Sequence, residues 1–421
     1  MFEDRYGLPV STTSAEAFGL FADALDRLLA QRDGARELLE RATAADPQFA
    51  LGWATLGLQL RLEGEMKQGA ALVDRAAALA DQLTTREQGQ LALLDAYCHG
   101  RFAEAQERAE AHLTTWPRDA LVMQHANYIF NLLSADLDRR QRHHDFAQRV
   151  LAHSPDDWYF LGEAAFAAAE VSAYGDARDY AARSFATNPD NGEAAHGAAH
   201  VFHETGDLAN GVAWLAEWLP AWKAPSGFGG HLAWHLALFA IADGHGDGVD
   251  VNDQLAYLNQ PLTLLMDAGS LFWRLQLDGV AALPWSALAD LPSAPGYSLS
   301  NFHRGFVLAG LGDFDGLAEW SARLRRNVER GHPSAEVCAE VVDGIGMHAC
   351  GEFAACAEQF VSIDANLAKL GGSRAQLEVL DDTLIDALAR SGQTADAIGR
   401  LDARLARRDV ARDRAWRDRL R

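Results

Sequence analysis

A helical unit that recurs about every 34 to 36 residues is the feature that most constrains how this chain folds. The first clear copy contains Trp53, Leu56 and Gly57, then Ala76, with Pro47 just before it. Small residues let two helices cross closely, and proline ends a helix because it has no backbone N–H to donate. Counted from residue 50, the next units begin near residues 86, 122, 158 and 192.

The alternation of helix, tight turn and helix continues through the rest of the chain, around residues 300–320, 341–360 and 381–401. This period and the W-x-x-L-G register are typical of the tetratricopeptide repeat. The sequence therefore predicts an all-α fold, an α-solenoid of roughly nine or ten helical hairpins wound tightly around a concave pocket.

No stretch of the 421 residues has the composition of a clean linker, so we predict one continuous helical-repeat domain over residues 1–421. Two stretches rich in proline and glycine, 219–230 and 283–298, interrupt the repeat and are predicted to be loops between hairpins. The domain is accordingly divided into amino-terminal repeats (1–218), central hairpins with longer loops (219–300) and carboxy-terminal repeats (301–421).

The formal net charge of −22 would repel both a nucleic-acid backbone and an anionic membrane surface. Arginines crowd the last residues, Arg408 and Arg412 among them, but aspartates are interleaved, so we interpret this segment as a solvated helix end. The amino terminus lacks a secretory pattern, and four cysteines without C-x-x-C spacing favour reduced thiols. We predict a cytoplasmic protein that binds neither nucleic acid nor membrane, and the oligomeric state is left open.

Two copies of the spacing H-x-x-x-H stand out in the central repeats, His196 with His200 and His231 with His235. On a helix this spacing places both imidazoles on one face, one turn apart. The repeat register places both pairs on the inner face of neighbouring hairpins, together with His303. The pairs are therefore predicted to share one site.

Imidazoles close together in an apolar groove disfavour one another's charged forms, so these rings should be neutral at pH 7. Neutral rings act as bases or bind metal, and either Glu204 or Asp267 could hold one ring in a single tautomer. The segment HGAAH lacks the glutamate of the zinc motif H-E-x-x-H, so the sequence does not favour a metal ion. If a metal were bound, its ligands would be His196, His200, His231 and His235.

Several segments together, in their order along the chain, resemble the tetratricopeptide repeat protein 38 family. They are DPQFALGWATLGLQLRLEG, TTREQGQLALLDAYCHGRFAEA, HGAAHV (196–201), HLAWHLAL (231–238), DAGSLFWRL (267–275), FH (302–303), GGSRAQ (371–376) and TLI (383–385). The resemblance covers most of the chain and implies a cytosolic, closely wound helical-repeat protein. The inner-surface residues that it implies are His196, His200, His231, Trp234, His235, Asp267, Trp273, Arg274 and His303.

The chain departs from the family's motif at residue 374, where arginine replaces the family's histidine. Leu377 and Glu378 likewise stand where the family has Arg-Asp. A site that needs that histidine would be incomplete, so either the ligand differs in this chain or the site lies entirely in the central hairpins.

Two functions remain open from the sequence. The favoured one is binding of a small molecule in the concave pocket, with acid/base catalysis as an added role of the histidines. In it His200 and His235 transfer protons or orient the ligand, and Asp267 fixes a tautomer. The residues predicted to bind the ligand are His196, His231, Trp234, Trp273, Arg274 and His303. The alternative is a non-catalytic scaffold that holds a peptide or partner protein in its groove.

Overall fold

A computed structural model describes residues 2–222, 227–256, 261–293, 297–328 and 334–421 of the chain. These residues are mostly helical, and two short strands, β1 (Phe2–Glu3) and β2 (Pro9–Val10), form an antiparallel pair near the amino terminus. The predicted all-α class and the succession of helical hairpins are thus confirmed.

The helices up to residue 222 follow one another in pairs joined by short turns. They are α1 (Ala15–Leu29), α2 (Ala35–Ala45), α3 (Ala50–Leu62), α4 (Met66–Ala77), α5 (Thr85–Cys98), α6 (Phe102–Thr115), α7 (Ala120–Tyr128), α8 (Arg139–Leu151), α9 (Trp158–Glu170), α10 (Tyr174–Thr187), α11 (Gly192–Thr205) and α12 (Leu208–Trp222). Each predicted unit has a first helix that begins within two residues of the position counted from the repeat; these helices are α3, α5, α7, α9 and α11. The repeat period is therefore confirmed in this half of the chain.

The pair α3 and α4 shows why the repeat needs small residues. A Cβ atom built on Gly57 would lie 2.6 Å from the carbonyl oxygen of Gly69, and one built on Gly69 would lie 2.5 Å from that of Gly57. Both separations are shorter than van der Waals contact, so the two backbones approach closely only because both residues are glycine.

The helices after residue 226 also follow one another in pairs joined by turns, with one irregular connection. They are α13 (Gly227–Ala242), α14 (Val251–Leu255), α15 (Pro261–Leu277), α16 (Ser298–Leu311), α17 (Phe314–Val328), α18 (Ala335–Ala349), α19 (Phe353–Ile363), α20 (Arg374–Arg390), α21 (Thr394–Arg407) and α22 (Ala411–Arg419). Although the short α14 lies between them in sequence, α13 and α15 pack directly against each other.

The prediction of a loop at 219–230 is wrong for residues 219–222 and 227–230, which are helical. Residues 223–226 lie outside the described residues. Residues 219–222 end α12 and residues 227–230 begin α13. On α12 the side chains of Trp214, Trp218 and Trp222 stack in one row, with ring centroids 5.9 and 5.1 Å apart. This packing holds the helix together past Pro220, which removes only one backbone donor in the last turn.

The predicted loop 283–298 is confirmed as a connection between α15 and α16. It contains a short 3₁₀ turn at Trp285–Leu288, and its residues 294–296 lie outside the described residues. Trp285 is buried against Phe272, with ring centroids 5.4 Å apart, so this connection is anchored to α15.

The described chain divides into two compact units. The N-terminal unit consists of Met1–Ser134, Arg140–Val171 and Gly175–Gly197, and the C-terminal unit of Ala135–Arg139, Ser172–Tyr174 and Ala198–Arg421. Each has its own buried core, which is built around aromatic residues such as Phe49 and Phe130 in the first and Trp234 and Phe239 in the second. In the part of the chain that is described, no helix combines the length and the apolar character that crossing a membrane requires.

Candidate functional site

Three histidines of the C-terminal unit lie together, His200 on α11 and His231 with His235 on α13. One ring nitrogen of each lies within 4.8 Å of a ring nitrogen of the other two. The ring centroids of His200 and His235 are 4.6 Å apart, and those of His231 and His235 are 4.9 Å apart, both in edge-on contact. We call these three side chains the histidine group.

Local packing explains why α11 and α13 come close enough for this contact. Gly211 on α12 lies where a Cβ atom would be 2.8 Å from Phe202 on α11 and 3.0 Å from Phe239 on α13. A glycine at this position therefore lets all three helices meet. His200 and His235 are fully buried, and His231 is 8% exposed.

Asp267 on α15 holds the ring of His231. Both carboxylate oxygens of Asp267 lie 3.1 Å from Nδ1 of His231, and Asp267 itself is buried. Because a carboxylate accepts hydrogen bonds, Nδ1 of His231 carries a proton. Of the two carboxylates considered from the sequence, Asp267 is the one in this position on His231.

Trp234 fixes the other side of the same ring. Its indole stacks on the imidazole of His231, with centroids 5.2 Å apart and an interplanar angle of 18°. The indole Nε1 donates to Oγ of Ser270 at 3.0 Å, and that hydroxyl donates to the carbonyl oxygen of Asp267 at 3.1 Å. The orientation of His231 is thus set from two sides by residues of α13 and α15.

His196 lies one turn before His200 on α11, in the part of that helix that belongs to the N-terminal unit. There its ring stacks on Phe166, with centroids 4.7 Å apart. Its Nδ1 is 3.9 Å from a carboxylate oxygen of Glu193, and its side chain is 12% exposed.

The other residues predicted to bind a ligand are engaged by neighbours within the C-terminal unit. Trp273 donates from Nε1 to Oγ1 of Thr383 at 2.9 Å. Arg274 donates to the carbonyl oxygen of Ala375 at 2.7 Å, and burial lowers the pKa of its guanidinium to about 10. Their predicted roles in binding a ligand stay predictions.

His303 lies outside the histidine group. Its Nδ1 is 2.6 Å from the carbonyl oxygen of Leu299, and its ring stacks on Phe302 with centroids 4.2 Å apart. Burial lowers the pKa of His303 to about 3, so this ring is neutral near pH 7. It serves as a buried histidine of the same unit against which the histidine group can be compared.

The interpretation of the last residues as a solvated helix end is wrong for Arg408 and Arg412, which are both buried. Nη2 of Arg408 donates to Glu378 at 2.6 Å, and Nε of Arg412 donates to Asp278 at 2.9 Å. Charge alone does not show this burial, because the partners lie 30 and 134 residues away in sequence.

These arginines belong to a buried network of ion pairs that was not predicted from the sequence. Asp382 accepts from Nη1 of Arg404 at 2.6 Å and from Nη1 of Arg412 at 2.9 Å, and Asp413 accepts from Nη2 of Arg404 at 2.9 Å. Burial alone would raise the pKa of Asp382, but Arg412 and Arg404 reverse this effect, so its pKa is lowered overall. Asp382 therefore stays ionised at neutral pH.

His203 on α11 is also part of this network, beside the histidine group. Its Nε2 lies 2.6 Å from Nη1 of Arg408, which acts as the donor. Burial and the neighbouring guanidinium hold the pKa of His203 well below its usual range. Its ring is consequently neutral, with the proton on Nδ1.

No family model matches this chain. Among solved structures, the one titled "Structure of Naa15/Naa10 bound to HypK-THB" is similar to it at 13% sequence identity and a TM-score of 0.20. The match covers 96% of this chain and 72% of that chain. A likeness of this size supports no argument about function.

Proposed function

We propose that the C-terminal unit binds a divalent transition-metal ion, of which Zn²⁺ is the best example, through His200, His231 and His235. The supporting observation is that one nitrogen of each ring lies within 4.8 Å of the other two. A zinc ion holds imidazole nitrogens at about 2.0 to 2.1 Å, which puts ligand nitrogens about 3.3 Å apart in a tetrahedron. Binding therefore requires the three rings to rotate until their nitrogens are that close.

Asp267 supplies the second reason for a metal ion. Histidines that bind metals commonly donate their other N–H to a carboxylate, which fixes the tautomer and makes the ligating nitrogen more basic. The contact of Asp267 with Nδ1 of His231 is of this kind, and Nε2 is the nitrogen that would bind the ion.

The composition of the histidine group also limits the kind of ion. Imidazole ligands suit zinc, copper, nickel or ferrous iron, whereas calcium and magnesium prefer oxygen ligands. The sequence did not favour a metal because the motif H-E-x-x-H is absent; here the ligands come from two helices instead of one. Three protein ligands leave a coordination position for water or a substrate, as in catalytic zinc sites.

The experiment is a measurement of bound metal on protein purified without a histidine tag. After exposure to Zn²⁺ and extensive dialysis, the wild-type chain should retain about one ion per chain, and His235→Ala and His200→Ala should lose it. His303→Ala is the matched control, because it removes an equally buried imidazole outside the histidine group. Substitution with Co²⁺ should give visible absorption bands in the wild type and in the control, but not in the other two variants.

Equal metal content in all four proteins, or none in the wild type, would contradict the proposal. Circular dichroism of each variant separates a loss of metal from a loss of fold. A variant that stays helical and melts like the wild type but holds no metal supports direct ligation.

The His231–Asp267 contact also favours a second candidate function, acid/base catalysis on a small molecule. In that case Nε2 of His231 accepts a proton from the ligand while Asp267 stabilises the charged ring. Trp234, stacked on His231, would form an apolar wall, and His200 and His235 would transfer protons or orient the ligand. Because Nε2 of His231 cannot hold both a metal and a proton, a wild-type chain that binds no metal would favour this candidate.

A further inference from the structure

A small cavity lies within the buried ion-pair network of the C-terminal unit. Its volume of about 10 Å³ has room for a single water-sized ligand. The charged residues of its lining are four arginines and two carboxylates, Arg274, Arg404, Arg408, Arg412, Glu378 and Asp413, and His203 also lines it. The arginines in the lining thus outnumber the carboxylates by two to one.

Three nitrogens on these lining residues lack a hydrogen-bond partner among the described residues, namely Nδ1 of His203, Nε of Arg408 and Nη2 of Arg412. All three are donors. The two arginine nitrogens always carry hydrogen, and Nδ1 of His203 carries the proton because its Nε2 accepts from Arg408. Buried donors are almost always satisfied, so three unpartnered donors on residues that line one cavity call for an acceptor inside it.

A cavity in the N-terminal unit offers a comparison of the same size. It also has a volume of about 10 Å³, and Arg86 and Gln90 line it. The buried atoms without a partner there, again among the described residues, are Nε of Arg86, a donor, and Oε1 of Gln90, an acceptor. Water donates and accepts, so it satisfies both atoms.

The cavity of the C-terminal unit differs from this one because the three unpartnered atoms on its lining residues are all donors. We propose that it binds a monatomic anion of the chloride class. An anion only accepts hydrogen bonds, which matches the three donors. The cavity volume excludes sulfate, phosphate and carboxylic acids. Asp278 and Asp382, which balance part of the arginine charge, do not line the cavity, so the residues that do line it carry more positive than negative charge.

The test begins with protein dialysed into sodium gluconate, an anion too large for the cavity. Adding chloride or bromide at constant ionic strength should raise the melting temperature by about a few degrees and then saturate, as binding to one site in the folded state requires. Gln90→Leu, which changes the other cavity, should keep this response, whereas His203→Phe should weaken it. A melting temperature that depends on ionic strength alone would overturn the proposal.

Crystals of the wild-type protein grown in bromide give a direct answer, even if His203→Phe fails to fold. An anomalous peak beside Arg408, Arg412 and His203 would support the anion site. Bromide on the surface only, with an ordinary water in the cavity, would overturn it. Neither experiment involves the histidine group, so the anion site and the metal site are tested independently of each other.

Discussion

Nδ1 of His231 lies 3.1 Å from both carboxylate oxygens of Asp267, which is 36 residues further along the chain. This contact holds a proton on Nδ1 of one histidine in the group, so Nε2 is the nitrogen with which that ring would bind a metal ion. It also gives the most specific test of the metal site, because Asp267 acts through His231 and is not itself one of the three proposed ligands.

We expect Asp267→Asn to weaken Zn²⁺ binding by about 10- to 100-fold, the usual cost of losing a carboxylate behind a ligating histidine. The metal stoichiometry at saturation should stay unchanged, because the three ligands are still present. Competition with a chromophoric zinc chelator measures the change in Kd. An unchanged affinity would mean that Asp267 orients His231 for another purpose.

Glu163 on α9 is expected to make the N-terminal unit less stable in alkaline solution. It is fully buried, and its pKa is raised well above the usual value by burial and by the nearby carboxylate of Glu193. Since the folded state holds the proton more tightly than the unfolded state, the contribution of Glu163 to stability is fully present below about pH 4.5 and is lost as the pH rises through the folded-state pKa.

Replacing Glu163 by glutamine should remove this pH dependence. Urea unfolding of wild type and Glu163→Gln at pH 5 and pH 8 should give similar stabilities at pH 5 and a more stable variant at pH 8. Glu16 on α1, an exposed carboxyl, provides the control substitution Glu16→Gln. The same difference between the two proteins at both pH values would contradict the expected titration.

Asp382→Asn is expected to destabilise the C-terminal unit strongly. It removes a buried charge that accepts from both Arg404 and Arg412. Breaking a buried ion pair on one side leaves unpaired charge in the core, which costs about 3–5 kcal/mol of the free energy of unfolding. Asp402→Asn, which breaks a half-exposed pair with Arg417, should cost no more than about 1 kcal/mol. Urea denaturation followed by circular dichroism compares the two, and equal losses would show that burial is not what makes Asp382 important.

Gly57→Ala tests the close contact of α3 and α4. The added methyl group would lie 2.6 Å from the carbonyl oxygen of Gly69, so the two helices must separate, at a cost of about 1–3 kcal/mol. Gly399→Ala on α21 is the matched control, because nothing lies within 4 Å of its Cβ position. Alanine favours a helix over glycine by about 1 kcal/mol, so this control should be slightly stabilised. Thermal melts of both variants provide the comparison.

The repeat period placed helix starts well, because small residues and turn signals recur at fixed intervals and are visible in the sequence. The start of α9 at residue 158 and of α11 at residue 192 agree with the count from residue 50. The same reasoning failed at Pro220, where stacking of three tryptophans outweighs the local preference of proline. Local sequence signals indicate which conformation a segment prefers on its own. When two conformations of that segment are close in energy, tertiary packing determines which one forms.

The candidate site was predictable only in part, for a similar reason. Helical spacing brings His231 and His235 onto one face, but nothing in the spacing says that Asp267 and not Glu204 contacts His231. The buried state of Arg408 was equally invisible, since it depends on Glu378 and His203. Long-range pairs of charged residues are set by the packing of whole helices, and single-sequence patterns do not record that packing.

The direct packing of α13 on α15, with α14 between them in sequence, has a consequence for how this protein can change. The histidine group and Asp267 are held by the contact between helices, and none of these side chains comes from residues 243–256. Insertions, deletions or substitutions in this connection are therefore expected to leave the geometry of the site unchanged. It is the natural place to insert a tag or a reporter domain without disturbing the histidines.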